Sequence, residues 1–352
     1  MKKQHLIMKT SGLTLLVIAI VLTGLFLPMP ALNNHAPTTA MAKAKAKVIP
    51  ALRVGGNHLV NPNGKTVRLC GVSTHGLAWF PQYVNKAAFQ QLRDEWGVNV
   101  IRLALYTEEY NGYLSGGDQK AQRKLINKGV KYATSLGMYV IIDWHILNDN
   151  NPNTHIEEAK KFFNKMSGKY ADHTNVLYEI CNEPHGVSWK NDIKPYALAI
   201  TKVIRKHDKD AIIIVGTNTW SQDVDDVISD RLPDPNTVYT LHFYAATHQD
   251  QNRDKAKRAL DAGVPVFISE SSICDASGNG SYDMASAEKW FELVRQYHMG
   301  FIAWSLCNKA ESSALLNSSC QAVNGWKDSD YTQAGKWYRS KFQEVLKHEG
   351  KH

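Results

Sequence analysis

Residues 176–184 read Val-Leu-Tyr-Glu-Ile-Cys-Asn-Glu-Pro. The first five make a short, largely apolar run of strand formers, and Pro184 cannot extend a ladder. Amphipathic stretches flank it, at 157–170 before and 193–207 after. A buried strand between two helices is the repeating unit of a parallel α/β fold. Moving outward, similar apolar runs lie at 139–142, 98–103 and 67–72 on one side and at 212–215, 238–241, 266–268 and 301–303 on the other, eight in all. Further helical stretches at 118–136, 254–262 and 286–297 fill intervals between them. Eight strand–helix units predict an α/β fold, a (β/α)8 TIM barrel. An open doubly wound sheet is the alternative, disfavoured by that count and by the absence of a Gly-x-Gly-x-x-Gly fingerprint. Leu59-Val60, the turn Asn61-Pro62-Asn63-Gly64 and the run at 67–72 predict a short N-terminal β-hairpin ahead of the barrel.

The ends of the chain differ from its middle. Lys2, Lys3 and Lys9 precede an apolar stretch at 13–27, which Pro28 and Pro30 interrupt before Ala40-Met41-Ala42. That order predicts a secretory signal over 1–42 and a secreted, extracellular protein. An uncleaved anchor is the alternative, but the apolar stretch falls short of the ~20 residues a membrane span needs, so no stable insertion is expected after processing. Residues 43–53 read as a linker, 54–346 as a catalytic barrel closed by a helix at 331–346, and 347–352 as a tail. Lys2, Lys3, Lys9, Lys43, Lys45 and Lys47 account for six charges of the formal +8, leaving the barrel at about +2. A nucleic-acid partner is therefore not expected, and we expect a monomer. The five cysteines form no Cys-x-x-Cys pair and are odd in number, which fits neither a zinc site nor a dense disulfide framework; three sit beside apolar runs and read as buried thiols, with Cys307–Cys320 the one conceivable bridge.

In a barrel of this kind chemistry gathers at the C-terminal strand ends. His75 and Trp79 follow the first run, Arg102 ends the second with Tyr106 beyond, and the third leads into Asp143, Trp144 and His145. Glu179, Asn182 and Glu183 close the fourth, Asn218 and Trp220 follow the fifth, and His242 and Tyr244 the sixth. Glu270 ends the seventh, and Trp304 and Lys309 follow the eighth. A lone strand-end His or Trp is usually structural, and it is their convergence on one rim that points to function. Glu183 and Glu270 would face each other across the mouth, as glycoside cleavage by two carboxyl groups requires. Arg102 and Tyr244 would keep Glu270 ionised, while Glu183, in a less charged setting, would hold its proton. Trp79, Tyr106, Trp220, Tyr244 and Trp304 offer flat faces for the C–H faces of sugar rings.

Ile180-Cys181-Asn182-Glu183-Pro184 with a second Glu at the seventh strand end resembles glycoside hydrolase family 5, formerly cellulase family A. Gly71-Val-Ser-Thr-His-Gly76, the segments 140–147 and 214–223, Tyr239-Thr-Leu-His-Phe-Tyr244 and Trp304-Ser-Leu306 resemble its bacterial endo-β-1,4-glucanase branch. The resemblance implies retaining, endo-acting hydrolysis of β-1,4-glucan with no cofactor and no metal. It implies Glu183 as acid/base, Glu270 as nucleophile, and Asn182 as hydrogen-bonding partner of the sugar 2-hydroxyl. Arg102 and Tyr244 would support the nucleophile, with His145 and His242 as active-site histidines and His242 near the acid/base. Trp304 would lie under the reacting sugar, His75, Trp79, Lys309 and Glu311 along the glycone side, and Trp220 on the aglycone side. Glu270 is followed by Ser271-Ser272 where many members have an aromatic and a glycine, a difference that bears on local shape and subsite preference. Mannan, xylan and mixed-linkage glucan are alternative substrates. A metal-dependent hydrolase and a non-catalytic glycan-binding barrel are the competing classes; against the first, no His-x-His follows the first run and no i, i+4 His pair lies on a helix predicted within the barrel.

Overall fold

The computed structural model describes residues 49–349. The expected export signal, the linker up to residue 48 and the tail from 350 lie outside the described residues. A two-stranded antiparallel sheet, β1 (Arg53–Gly55) with β2 (His58–Val60), comes first. Eight parallel strands then close into a barrel: β3 (Cys70–Thr74), β4 (Val100–Tyr106), β5 (Tyr139–His145), β6 (Val176–Glu179), β7 (Ile213–Val215), β8 (Thr237–Tyr244), β9 (Val266–Ser272) and β10 (Phe301–Leu306). β10 pairs with β3 to complete the ring.

The hairpin is built one turn earlier than its Asn-Gly signal suggests. Gly56, at φ +64°, turns β1 into β2, while the Asn61–Gly64 turn leads only to an isolated bridge between Val60 and Thr66. The run at 67–72 is instead drawn into the barrel, where β3 finds parallel partners on both edges.

Alternation along the strands assigns each side chain to a layer. In β4, Ile101, Leu103 and Leu105 join the large apolar cluster under the surrounding helices, while Val100, Ala104 and Tyr106 belong to smaller clusters inside the ring. Val100, Tyr139, Leu177, Ile214, Val238 and Ile302 fill one inner layer together with Ile49, Leu52 and Leu59 of the leading segment. Arg102 lies between that apolar layer and the aromatic one of Tyr106, Tyr244 and Trp304. A polar residue so placed must find partners within the barrel.

The strand spacing leaves no room for a side chain at Gly71. An added Cβ would stand 2.2 Å from the Val100 carbonyl oxygen and 2.9 Å from Ile302 Cδ1. Gly71→Ala is expected to cost about 1–3 kcal/mol of stability, as overpacking of a closed core does, measured by urea unfolding.

Cys307 and Cys320 are both buried free thiols, so the bridge between them is not formed. No helix among the described residues is long and apolar enough to cross a membrane.

Candidate active site

The C-terminal strand ends open into a cleft of about 850 Å³. His75, Trp79, Tyr106, His145, Glu183, Trp220, Tyr244, Glu270, Trp304, Lys309 and Glu311 all line it. Arg102, Asn182 and His242 stand directly behind that wall, almost wholly buried. The structure thus brings all of the expected site residues to one rim. Several sit deeper than expected, because the strands continue past their apolar runs: β4 runs on to Tyr106, β8 to Tyr244 and β9 past Glu270.

Glu270 is held from two sides. Arg102 Nη1 donates to Oε2 at 3.0 Å and Tyr244 Oη donates to Oε1 at 2.7 Å. Burial, reinforced by the charge of Glu270, pushes the Tyr244 phenol well above its ordinary range, so it keeps the proton it donates. Arg102 has no exposed surface and is fixed by other acceptors: Glu179 through Nε and Nη2 at 2.7 and 3.1 Å, Asp143 at 3.1 Å, and Asn182 Oδ1 at 2.6 Å. A rigid guanidinium fork suits this many-sided task.

Glu183 lies opposite. One of its carboxylate oxygens, one of Glu270 and a ring nitrogen of His242 all fall within 4.8 Å of one another. The expectation of a less charged setting for Glu183 is corrected here, since His242 Nδ1 stands 2.8 Å from its Oε1. Burial opposes a charge on His242, but hydrogen bonds to Glu179 and Glu183 outweigh it and bring the imidazole up to about 9. Glu183 and His242 therefore form a hydrogen-bonded pair on the cleft wall.

His145 is placed differently. Its Nδ1 meets Asp143 Oδ2 at 2.7 Å and its Nε2 faces the Asn182 amide nitrogen at 3.2 Å. Burial, then the charge of Arg102, hold the imidazole well below its ordinary value, so it is neutral. A neutral ring with its proton on Nδ1 lets Nε2 accept from Asn182, whose amide also donates to the Ile146 carbonyl at 3.1 Å.

Aromatic rings shape both arms of the cleft. On one side Trp79 stacks obliquely on Tyr106 with centroids 4.6 Å apart, and His145 lies nearly parallel to Trp304 at 5.2 Å. There Lys309 Nζ reaches Glu311 Oε2 at 2.6 Å and His75 Nε2 lies 3.5 Å from Oε1. Burial opposes a charge on Glu311, but these two partners prevail and lower its carboxyl. On the other side Trp220, 44% exposed, stacks on His185 with centroids 4.4 Å apart. Thr219, Trp220 and Ser221 all take left-handed backbone angles, an arrangement that side-chain-bearing residues rarely adopt. It is pinned by Trp220 N to the Pro184 carbonyl at 3.1 Å and by Ser221 Oγ to the Asn182 carbonyl at 2.6 Å, which ties this platform to the segment carrying Glu183.

Residues 60–310 match the profile of Cellulase (glycosyl hydrolase family 5). The chain belongs to glycoside hydrolase family 5. It is 48% identical to an endoglucanase of Clostridium saccharobutylicum over 81% of this chain and 63% of that protein. It is 44% identical to endoglucanase A of Butyrivibrio fibrisolvens over 86% of this chain and 71% of that one. The chain thus spans about two thirds of these curated relatives. Among solved structures, the catalytic domain of Thermobifida fusca endoglucanase Cel5A superposes with a TM-score of 0.80 at 33% identity, covering 84% of this chain and 98% of that domain.

Within this family 5 site, three buried residues carry more than sequence reading gave them. Asp143 and Glu179 stand at strand ends but drew no role, and Ser269, one residue before Glu270, drew no notice. A carboxylate inside an apolar run, as Glu179 is in 176–180, was the available signal. On the Trp220 side, Gln222, Thr247, His248, Gln251 and Asn252 complete the cleft wall. Among the described residues, two donor sets are close enough to hold a metal: Glu183, His242 and Glu270, and His75, Cys307 and Glu311. In the second, Lys309 already occupies one oxygen of Glu311.

Proposed function

We propose that this chain hydrolyses internal β-1,4-glucosidic bonds of cellulose and related β-glucans with retention of configuration. The observation that carries this reading is the separation of Glu183 and Glu270. Oxygens within 4.8 Å match the roughly 5 Å gap of retaining glycosidases and leave too little space for the water that an inverting pair places between them. Family membership and endoglucanase relatives support the substrate class.

In this reading Glu270 attacks the anomeric carbon while Glu183 protonates the departing oxygen. Arg102 and Tyr244 aim Glu270 and balance its charge. After proton transfer the Glu183 carboxylate accepts from His242, and in the second step it takes a proton from the attacking water. Asn182, oriented by His145 and Arg102, is offered to the 2-hydroxyl. Trp304 and Trp79 bear the glycone rings beside His75, Lys309 and Glu311, and Trp220 bears the aglycone.

Glu183→Gln is expected to lower kcat on carboxymethylcellulose by about 10²–10⁴-fold, the usual weight of general acid catalysis. Proton NMR of the first product from cellopentaose should show the β anomer; the α anomer would overturn the retaining assignment. The site residues account for this chemistry without a metal, and activity should survive prolonged chelation. We also read residues 1–42 as an export signal, which N-terminal sequencing of the secreted protein tests.

A further inference from the structure

Aromatic rings step outward along the glycone arm of the cleft, from Trp304 to His75 with centroids 5.2 Å apart and from His75 to Trp79 at 5.6 Å. Beside Trp79 stands Tyr110, whose backbone carbonyl accepts from the indole Nε1 at 2.8 Å. Glu109, one residue before it, lines the cleft. The Tyr110 side chain is 82% exposed, against 44% for the Trp220 platform on the opposite arm. A single exposed ring is ordinary on a protein surface. Tyr110 differs in standing at the end of a row of rings, on a loop that is fixed in place.

Residues 107–117 leave β4 and fold back on its end. Tyr113 N donates to the Tyr106 carbonyl at 2.8 Å and Leu114 N to the Thr107 carbonyl at 2.9 Å. At the tip, Gly112 N reaches the Glu109 carbonyl at 2.6 Å, and Asn111 takes a φ of +57°, which asparagine tolerates better than most residues. The loop is also tied to the one after β5: Glu109 Oε1 accepts from Asn148 N at 2.9 Å, and Asp149 Oδ1 from Thr107 Oγ1 at 2.7 Å. Tyr110 is thus carried to water by a bonded turn, at a set place beside Trp79.

We propose that Tyr110 is the stacking residue of a further glycone subsite at the outer rim, engaged only by β-glucan chains long enough to pass Trp79. The proposal rests on the reading of the cleft as a β-1,4-glucan site with Trp79 on its glycone side.

A phenol ring is flat and has only two side-chain torsions to fix, so it offers contact area at small entropic cost. Its face meets the C–H bonds of a glucosyl ring while the sugar hydroxyls keep their water. Every unit of a β-1,4 chain presents such a face, so a ring placed beyond Trp79 adds contact to a longer chain without requiring any new chemical group. This contact lies two ring steps and more from Trp304, remote from the bond that breaks. It is therefore made equally in the bound substrate and in the transition state, and its loss raises KM while leaving kcat in place.

The test uses p-nitrophenyl β-glycosides of two to five β-1,4-linked glucosyl units, with the initial rate of p-nitrophenol release as readout. The nitrophenyl group then occupies the aglycone side, and the substrate itself sets the length of the glycone. Tyr110→Ala is expected to leave kcat/KM on the two-unit glycoside unchanged and to lower it about 2–10-fold on the longest, through KM, the weight of one aromatic contact. Trp79 bonds to the backbone carbonyl of residue 110, so the substitution leaves that bond in place. Tyr110→Trp should restore the preference for length, because a flat face is all that is required. Unchanged kcat/KM for Tyr110→Ala at every length would overturn the proposal. So would an equal loss at every length, which would reduce Tyr110 to a prop for Trp79. Failure of the unaltered protein to release p-nitrophenol from any of these glycosides would strike the underlying β-glucan reading instead.

Discussion

Glu270→Gln is expected to lower kcat on cellopentaose by about three orders of magnitude or more while leaving the circular dichroism of the barrel unchanged. The amide keeps the volume of the carboxylate and can still meet Tyr244 Oη, so the cleft holds its shape. What disappears is the nucleophile, and with it the covalent intermediate. A shorter variant sharpens the result. Glu270→Ala opens space on the face where the carboxylate attacked, and azide entering there displaces the leaving group in a single inversion. The expected product is the α-glucosyl azide, identified by NMR. Appearance of the β azide would place Glu270 on the wrong face of the sugar.

Arg102→Met should have the largest effect on folding. Arg102 is a fully buried cation touching Glu179, Asp143 and Glu270, so its removal leaves three carboxylates close together with their main counter-charge gone. Removing one partner from a buried ionic cluster costs about 3–5 kcal/mol, which urea unfolding would register. Arg102→Lys should recover only part of the loss, since a point charge cannot replace the fork. The acid response should change as well. Because Glu179 is lowered from 4.5 to about 2 in the folded state, it contributes stability that is present above its unfolded value and is lost as pH falls from about 4.5 towards 2. Without Arg102 that acid dependence should flatten.

The barrel was legible because a parallel strand buried on both faces has to be apolar, and eight such runs punctuate the chain. The ends of those strands were not, for a reason that is itself functional. His242, Tyr244 and Glu270 interrupt the apolar pattern while remaining in the ladder, so the runs at 238–241 and 266–268 stop short of strands that reach Tyr244 and Ser272, while Arg102 sits as a lone charge inside a strand that reaches Tyr106. The rim residues could be named from position alone, since whatever follows each run must face the mouth. What position cannot give is which polar groups meet below the rim. Asp143 and Glu179 differ from ordinary strand-end carboxylates only in pointing at Arg102, and that depends on register between β4, β5 and β6. The same limit applies to Glu183: nothing in the spacing of 183 and 242 places an imidazole against that carboxylate, and only the family resemblance put His242 near it.

Internal cleavage by Glu183 and Glu270 is tested most directly by following viscosity against reducing ends released from carboxymethylcellulose, with Glu270→Gln as control. A steep fall in viscosity after few bonds are cut, abolished in the variant, is the result expected of internal β-1,4-glucan cleavage by this site. Reducing ends that accumulate without loss of viscosity, or equal activity in the variant, would contradict it.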